Sequence, residues 1–402
     1  MKLESVILLI IDGLGDLPTP KTPLQVAKKP NMDRLAKDGI TGMFAPLGRW
    51  VVPGSDTSHL QIFGYDPEIF YHGRGPLEAL GIGMELKSGD IAFRANLATV
   101  DGERVVDRRA GRISTDEGKH LEKYLCTKIE DVEAIFAHSV EHRGALVLRG
   151  PGLSPAVSDT DPHTAGEEIR RCVPLDSTPE AEKTARIVNA YTRFALRALS
   201  SAVENKVRQD RGQPPANALL LRGCGRYEKV PSFFERFGLK GVCIAGGALY
   251  RGVARYIGMD IISVPSSEDE RSLSERAMAA AKATANYDLV FLHIKGCDNA
   301  GHDGNFDGKR KMIERIDKKV LPPLMKSGAD IIITGDHSTP VARREHSGHE
   351  IPILIWSKEE RRDSVKRFDE LNCMYGGLGH VSGEELIRAI LNLLKKAEKR
   401  GS

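Results

Sequence analysis

The sequence predicts an α/β protein whose main sheet is doubly wound and mostly parallel, with a smaller α+β domain inserted into it. Short apolar runs at 6–11, 289–294 and 331–334 are typical of buried parallel strands, and Asp or His residues follow each of them closely. Strand-like and helix-like segments alternate along most of the chain, as in βα units. The chain has 402 residues, 41% of them hydrophobic, which is enough for two domains.

Hydrophobic periodicity gives the elements of the main domain. The predicted strands are 6–11, 217–221, 242–245, 261–264, 289–294, 330–334 and 353–356. The predicted helices are 31–37, 233–237, 272–285, 311–321 and 384–398. An amphipathic stretch at 180–208 predicts one long helix that returns the chain to this domain.

The stretch 114–178 interrupts this alternation. It predicts two helices, at 119–125 and 131–137, followed by a strand at 145–148 and a loop rich in Pro and Gly. We therefore expect residues 1–113 and 179–402 to form the main domain. Residues 114–178 would form an inserted cap.

Charge and composition limit the classes of partner. Lys and Arg (58) nearly balance Asp and Glu (55), so the net charge of +3 favours neither nucleic acid nor an anionic membrane. The first apolar run is too short for a signal segment or a membrane span, and the six cysteines form no C-x-x-C pair. We expect a cytoplasmic protein with reduced cysteines. The sequence is compatible with a homo-oligomer but does not fix the oligomeric state.

Two loops carry the first candidate site residues. Asp12 and Gly13 follow the first strand, where a carboxylate would face the crevice at the strand ends. The segment 53–59 offers the hydroxyls of Ser55, Thr57 and Ser58 beside a histidine. Taken alone, the first could be an ordinary turn and the second a solvated loop.

Two further motifs follow strands in the second half of the chain. Asp298 and His302 stand four residues apart, so one helical turn would place both on one face. Asp336 and His337 are adjacent at a strand end, and histidines at 346 and 349 follow in one loop. Because the carboxyl ends of parallel strands meet at one edge, we expect these groups to converge.

The number of donors predicts two metal ions rather than one. Six side chains are candidate ligands: Asp12, Asp298, Asp336, His302, His337 and His346. That is too many for one four-coordinate ion but suits two, with a serine oxygen bridging. Two ions suit in-line displacement at phosphorus. The mixture of carboxylate and imidazole favours Mn²⁺ or Zn²⁺ and is also compatible with Mg²⁺.

These motifs resemble the alkaline phosphatase superfamily and, within it, the archaeal-type branch of the cofactor-independent phosphoglycerate mutases. The resemblance covers essentially the whole chain. It is carried by Ile11-Asp12-Gly13, the segments 54–60, 73–79 and 93–96, Lys295-Gly296-Cys297-Asp298, and the segments 300–304 and 335–339.

The resemblance implies a role for each ligand. One ion would be held by Asp298, His302 and His346, and a second by Asp12, Ser55, Asp336 and His337. Ser55 would accept the phosphoryl group, because the family's serine lies four residues before a histidine, as Ser55 lies before His59. Thr57 is the competing nucleophile. His346 is preferred to His349 because it stands six residues before Pro352, as the corresponding histidine does in related enzymes.

The implied activity is the interconversion of 3-phosphoglycerate and 2-phosphoglycerate through a phosphoserine, without 2,3-bisphosphoglycerate. This isomerase reaction belongs to glycolysis and gluconeogenesis, and its enzymes need a cap that excludes water and holds the glycerate. The main alternative is a metal-dependent phosphatase or a phosphopentomutase-like enzyme with the same metal core. A non-catalytic metal-dependent protein would have lost part of the site.

Substrate-binding candidates are less specific. Arginine suits bidentate capture of carboxylate and phosphate, and the cap sequence offers an acidic and imidazole motif that could orient hydroxyls. The candidates are Arg94, Arg109, Arg112, Asp159, His163 and Lys295. A solvated basic turn or a capped turn would explain most of them equally well.

Overall fold

The computed structural model describes residues 4–18, 20–399 and 401. Contacts divide the chain into two compact units. The main unit comprises residues up to Tyr71 and from Pro231 onward, and the inserted unit comprises His72–Val230. In the described residues, no helix combines the length and apolar character that crossing a bilayer requires.

The main unit is built on an eight-stranded sheet. In hydrogen-bonded order its strands are β10 (Asp260–Ile261), β9 (Gly241–Ile244), β11 (Leu289–Ile294), β1 (Val6–Ile11), β12 (Asp330–Thr334), β13 (Ile351–Trp356), β2 (Ile40–Ala45) and β14 (Gly379–Ser382). Only the two ladders of β13 are antiparallel in this sheet of described residues. The predicted mostly parallel α/β class is confirmed.

The apolar composition of β1 explains why this strand lies inside the sheet. Every residue of β1, Val-Ile-Leu-Leu-Ile-Ile, is buried, as expected for a strand covered on both faces. It pairs with β11 on one side and with β12 on the other, in register Ile10↔His293 and Ile10↔Thr334. Residues two positions beyond these pairs therefore leave the sheet at one edge.

Helices connect the strands of the main unit. They are α1 (Pro23–Val26), α2 (Pro30–Asp38), α3 (Ser55–Ile62), α4 (Pro67–Phe70), α9 (Phe233–Phe237), α10 (Ala248–Tyr256), α11 (Glu270–Ala283), α12 (Gly296–His302), α13 (Phe306–Lys319), α14 (Leu321–Ser327), α15 (Glu370–Cys373) and α16 (Gly383–Leu393). The closing helix starts at a capping box between Ser382 and Glu385. It ends earlier than the predicted 384–398.

The inserted unit has an antiparallel sheet of its own. Its strands run in the order β4 (Arg104–Asp107), β3 (Ile91–Asp101), β7 (Arg143–Arg149), β6 (Val132–His138) and β5 (Thr127–Ile129), and β8 (Ala218–Arg226) pairs with β3 as well. Its helices are α5 (Arg74–Gly81), α6 (Thr115–Leu121), α7 (Pro179–Ser200) and α8 (Val203–Asp210), with a 3₁₀ turn at Glu122–Tyr124.

The inserted unit is larger than the 114–178 cap expected from sequence. The pairing of β3 with both β7 and β8 joins segments on either side of the expected boundaries. Helix α7 buries Ile187 and Tyr191 in the hydrophobic core that also contains Leu221 of β8. These long-range contacts place the boundaries at His72 and Val230 instead.

Other predicted elements were also wrong in type or extent. Residues 131–137 form a strand rather than a helix, because buried positions alternate along β6 and fit a sheet face. The predicted helix 180–208 is two helices, since extended backbone at Ala202 ends the first and caps the second. The predicted strand 261–264 is reduced to two residues, Asp260–Ile261.

Candidate metal centre

Strand register brings three charged side chains to one edge of the main sheet. Asp12 and Asp336 each lie two residues beyond the paired residues Ile10 and Thr334, and Lys295 lies two beyond His293. Gly13 adopts φ +66°, and a Cβ there would stand 2.8 Å from the Asp298 Cα. Only glycine allows the loop after β1 to approach α12 so closely.

Four donors surround one point at this edge. His337 Nε2 lies 3.2 Å from Ser55 Oγ, 3.4 Å from Asp12 Oδ1 and 3.3 Å from Asp336 Oδ2. The edge of a tetrahedron around an ion with bonds of ~2.0–2.1 Å is about 3.3–3.4 Å. We call this set, Asp12, Ser55, Asp336 and His337, the serine cluster.

A second set of donors surrounds Asp298. Its Oδ1 lies 3.3 Å from His302 Nε2 and 3.6 Å from His346 Nε2. The i, i+4 spacing within α12 places Asp298 and His302 together, as the sequence predicted. The Nδ1 atoms of both histidines contact backbone carbonyls of Arg344 and Pro53, so both Nε2 atoms are left for the cluster. We call this set the aspartate–histidine cluster.

His349 belongs to neither cluster. Its Nδ1 contacts Ser347 Oγ at 3.0 Å, and its ring packs edge-on against Trp50. His346 instead stacks on His337 with ring centroids 3.6 Å apart.

Thr339 and Lys295 link the two clusters. The Thr339 hydroxyl donates to Asp298 Oδ1 at 2.8 Å and contacts His337 Nδ1 at 3.0 Å. Lys295 Nζ donates to Asp298 Oδ2 at 2.8 Å and to Asp12 Oδ2 at 3.1 Å. The Tyr250 hydroxyl also donates to Asp12 Oδ2. Thr339 therefore connects Asp298 to His337, and Lys295 connects Asp298 to Asp12.

The ionisation of the three carboxylates is uneven. Burial raises the pKa of Asp336 far above its usual range, and the neighbouring charges of Asp12 and Asp298 raise it further. Burial also opposes ionisation of Asp12 and Asp298, but Lys295 holds the pKa of Asp12 below its usual range, and hydrogen bonds from His302 and His346 lower that of Asp298. Burial lowers the pKa of His337 to about 3, so its imidazole is neutral and able to bind a cation.

The donors fit divalent ions. Asp12 Oδ1 and Asp336 Oδ2 are buried and have no hydrogen-bond partner among the described residues. Buried, unpaired carboxylate oxygens are costly unless a cation or a proton neutralises them. Two of the compact groups of potential ligands at this edge are Asp12, Asp336 and His337, and Asp298, His337 and His346. Two overlapping groups at this edge can therefore hold a divalent ion, and the group around Asp298 takes His337 where the predicted ligand set has His302.

Other predicted site residues lie in the inserted unit. Arg94 is half-buried on β3, its Nε has no hydrogen-bond partner among the described residues, and its Nη1 lies 3.8 Å from Glu78. Burial and the nearby charge of Arg222 together lower the pKa of Arg94 to about 10, against the opposing effect of Glu78. Arg109 and Arg112 are exposed.

The acidic motif of the inserted unit is held by arginines. Arg108 makes a bidentate pair with Asp161 at 2.6 and 3.0 Å, and Arg222 Nε lies 3.7 Å from the same carboxylate. Asp159 accepts from the amide of Gly223 at 2.9 Å and contacts His163 Nε2 at 3.0 Å. The motif is therefore an ordered network rather than a solvated turn.

Sequence reasoning gave no role to several residues that the structure brings forward. They are His59, Tyr250, His293 and Thr339 in the main unit and Arg222 in the inserted unit. His293 lies inside the buried strand β11 and Tyr250 on the amphipathic helix α10, so both resemble core positions. For Thr339, the signal was its place in the motif after Asp336, although a hydroxyl there does not by itself indicate which ligand it supports.

Comparison with known proteins shows which family the chain belongs to. A family model described as 2,3-bisphosphoglycerate-independent phosphoglycerate mutase matches residues 36–205. A protein of Methanocaldococcus jannaschii named 2,3-bisphosphoglycerate-independent phosphoglycerate mutase 1 is 44% identical over 411 residues, covering 100% of both chains. A protein of the same name from Archaeoglobus fulgidus is 45% identical over 408 residues, covering 99% of this chain and 100% of its own.

Solved structures extend the similarity to the fold. The cofactor-independent phosphoglycerate mutase of Thermoplasma acidophilum is 36% identical with a TM-score of 0.71, covering 98% of this chain and 100% of its own. The PH0037 protein of Pyrococcus horikoshii is 32% identical with a TM-score of 0.84, covering 100% of both chains. The chain belongs to the 2,3-bisphosphoglycerate-independent phosphoglycerate mutase family.

Proposed function

We propose that this protein interconverts 3-phosphoglycerate and 2-phosphoglycerate by carrying the phosphoryl group on Ser55, without 2,3-bisphosphoglycerate. The proposal rests above all on the position of Ser55 Oγ, 3.2 Å from His337 Nε2 and at the start of α3. Thr57, the competing nucleophile, instead donates its hydroxyl to the carbonyl of Gly54 at 3.1 Å. Such an isomerase would act in glycolysis and gluconeogenesis, in the cytoplasm.

Two divalent ions complete the proposed site. Asp12, Ser55, Asp336 and His337 would hold one, and Asp298, His302 and His346 the other. When bound, the ions lower the pKa of the serine hydroxyl and neutralise the oxygens of the transferring phosphoryl group. Mn²⁺ and Zn²⁺ suit the mixed donors best, and Mg²⁺ is also compatible.

The chain's own residues perform the transfer in two steps. Ser55 Oγ gives up its proton and bonds to phosphorus while the bond to O3 of the substrate breaks, so glycerate takes up a proton at O3. Glycerate then turns within the site. Its 2-hydroxyl loses a proton and attacks the phosphoserine, which returns Ser55 to its hydroxyl form.

Lys295 and the inserted unit are proposed to control what reaches the phosphoserine. Lys295 brings a positive charge beside Asp12 and Asp298, where phosphate oxygens need compensation. Arg94 and Arg222 are the strongest candidates for holding the substrate carboxylate, because both are half-buried and the Nε of each makes no hydrogen bond among the described residues. Asp159 and His163 are proposed to orient the glycerate hydroxyls, and the exposed Arg109 and Arg112 are weaker candidates.

A coupled assay tests the proposal against the phosphatase alternative. Purified protein is stripped with a chelator, restored with Mn²⁺ and given 3-phosphoglycerate without bisphosphoglycerate, while enolase reports 2-phosphoglycerate and a second assay reports free phosphate. We expect metal-dependent 2-phosphoglycerate without equal phosphate release. Release of phosphate alone would identify a phosphatase. If neither product forms, other phosphorylated substrates, pentose phosphates first, must be tried.

A further inference from the structure

A third group of potential ligands lies at the same edge of the main sheet, and the proposed reaction uses only one of its members, Asp336. One ligand atom from each of His59, His293 and Asp336 lies within 4.8 Å of the others. The three side chains are buried, with relative exposures of 0%, 1% and 0%. His59 Nε2, His293 Nε2 and Asp336 Oδ2 all have no hydrogen-bond partner among the described residues.

The orientation of His59 leaves a lone pair without a partner. Its Nδ1 lies 2.6 Å from the carbonyl oxygen of Ser55, one turn earlier in α3, and 3.7 Å from Asp336 Oδ2. A carbonyl only accepts, so Nδ1 carries the proton and donates. Nε2 of the same neutral ring is then unprotonated. A buried nitrogen lone pair without a donor is an unusual feature that a bound cation would explain.

Neighbouring rings fix the position of His293. Tyr250 stacks on it with centroids 3.5 Å apart, and His59 packs against it with centroids 5.4 Å apart. His293 Nε2 lies 3.3 Å from Asp12 Oδ2, but that oxygen already accepts from Tyr250 and Lys295. The imidazole therefore lies beside acidic oxygens, but its Nε2 makes no hydrogen bond with any described residue.

We propose that His59, His293 and Asp336 form a third cation site, suited to a divalent ion that favours imidazole, such as Zn²⁺ or Co²⁺. The site goes beyond the proposed mutase reaction, which needs only the serine and aspartate–histidine clusters. Asp336 is shared with the serine cluster, and a shared carboxylate lets one side chain serve two ions. Because His59 donates to the backbone of Ser55, an ion on His59 would also fix the start of α3.

Counting bound metal tests the proposal. The whole protein is stripped of metal, equilibrated with Co²⁺ at controlled free concentrations and analysed for cobalt per chain. We expect three ions in the unaltered protein and two in His293→Gln. His138→Gln is the matched control, because His138 is also buried and its Nδ1 also makes no hydrogen bond within the described part of the chain, but it lies in the inserted unit. It should retain three.

A donor-preserving variant separates lost ligation from lost packing. His293→Asp keeps an oxygen ligand, so we expect it to hold the third ion with weaker affinity. Anomalous diffraction from cobalt-loaded crystals should show the third ion bonded to His59 and His293. Two ions in the unaltered protein, three in His293→Gln, fewer than two in His293→Gln, or only two in His293→Asp would each overturn the proposal.

The mutase assay on the same samples keeps the two proposals apart. A protein that binds two ions and isomerises phosphoglycerate would lack the third site but retain the proposed function. A protein that binds three ions without isomerising phosphoglycerate would have the third site and a different reaction.

Discussion

Thr339 Oγ1 lies 2.8 Å from Asp298 Oδ1, so the loop after β12 supports a candidate ligand on helix α12, which follows a different strand, β11. The same hydroxyl contacts His337 Nδ1. Thr339 therefore orients His337 in the serine cluster and Asp298 in the aspartate–histidine cluster. Such supporting hydrogen bonds commonly decide how tightly a metal is held.

We expect Thr339→Val to weaken metal binding by about 10- to 100-fold, since it removes the hydrogen bond to Asp298 while keeping the shape of the side chain. The dissociation constant for Mn²⁺ in the chelator-stripped protein measures the effect. Thr339→Ser keeps the hydroxyl and should stay within a few fold of the unaltered protein. Equal weakening in both variants would mean that the hydroxyl does not support the clusters.

Ser55→Ala should reduce phosphoryl transfer by at least about 1,000-fold, because the nucleophile is lost. Metal content should remain largely unchanged, since three donors of the serine cluster remain. Thr57→Ala in the same helix is the control and should keep activity within a few fold. If only Thr57→Ala lost activity, Thr57 rather than Ser55 would be the nucleophile. If Ser55→Ala folded but lost its metal, Ser55 would be chiefly a metal ligand.

The inserted unit offers a comparison between buried and exposed arginines. Arg94→Met should raise the KM for 3-phosphoglycerate by about 100-fold, on the order of the 1.5–3 kcal/mol of a charge-assisted hydrogen bond. Arg112→Met removes an exposed guanidinium and should change KM little. Similar KM values for Arg94→Met and the unaltered enzyme would remove Arg94 from the substrate site.

Glu370 gives the main unit a pH dependence separate from the metal ligands. Burial raises its pKa from 4.5 to about 7, while the Thr22 hydroxyl donates to it at 2.6 Å and partly opposes the shift. The folded protein binds this proton more tightly than the unfolded chain. The stability it contributes is therefore complete below pH ~4.5 and is lost as pH rises towards 7.

We expect Glu370→Gln, which resembles the protonated form, to flatten the decline in unfolding free energy over this range by on the order of 2–3 kcal/mol. Urea unfolding at fixed, saturating Mn²⁺ between pH 4.5 and 8 measures it. The exposed Glu103→Gln serves as control. An equally steep pH dependence in Glu370→Gln would show that another group is responsible.

The sequence predicted the edge of the main sheet well because parallel strands obey simple rules. Buried runs ending in Asp or His predicted the convergence of Asp12, Asp298 and Asp336, and the i, i+4 spacing predicted the contact between Asp298 and His302. Their roles as metal ligands stay predictions. His293 was missed because a polar residue within an apolar strand shows no periodic signal. Its place near other potential ligands depends on contacts with α3 and α10, which the sequence does not reveal.

The inserted unit was predicted less well because its fold depends on pairings between distant segments. No local feature of the sequence indicates that β3 pairs with β8, which lies more than a hundred residues later. The same pairing places Arg94 opposite Arg222, and this too could not be read from the sequence. The alternation in β6 was present in the sequence, but short amphipathic segments fit a helix as well as a strand when their partners are unknown.

The most direct test of the central claim is to trap the phosphoryl group on the protein. Enzyme with Mn²⁺ is mixed with 3-phosphoglycerate, quenched in acid during turnover and digested, and the peptide containing residues 50–74 is fragmented by mass spectrometry. Phosphate on Ser55, absent in Ser55→Ala, is the predicted result. Phosphate on Thr57 or Ser58, or turnover to 2-phosphoglycerate by Ser55→Ala, would contradict the account.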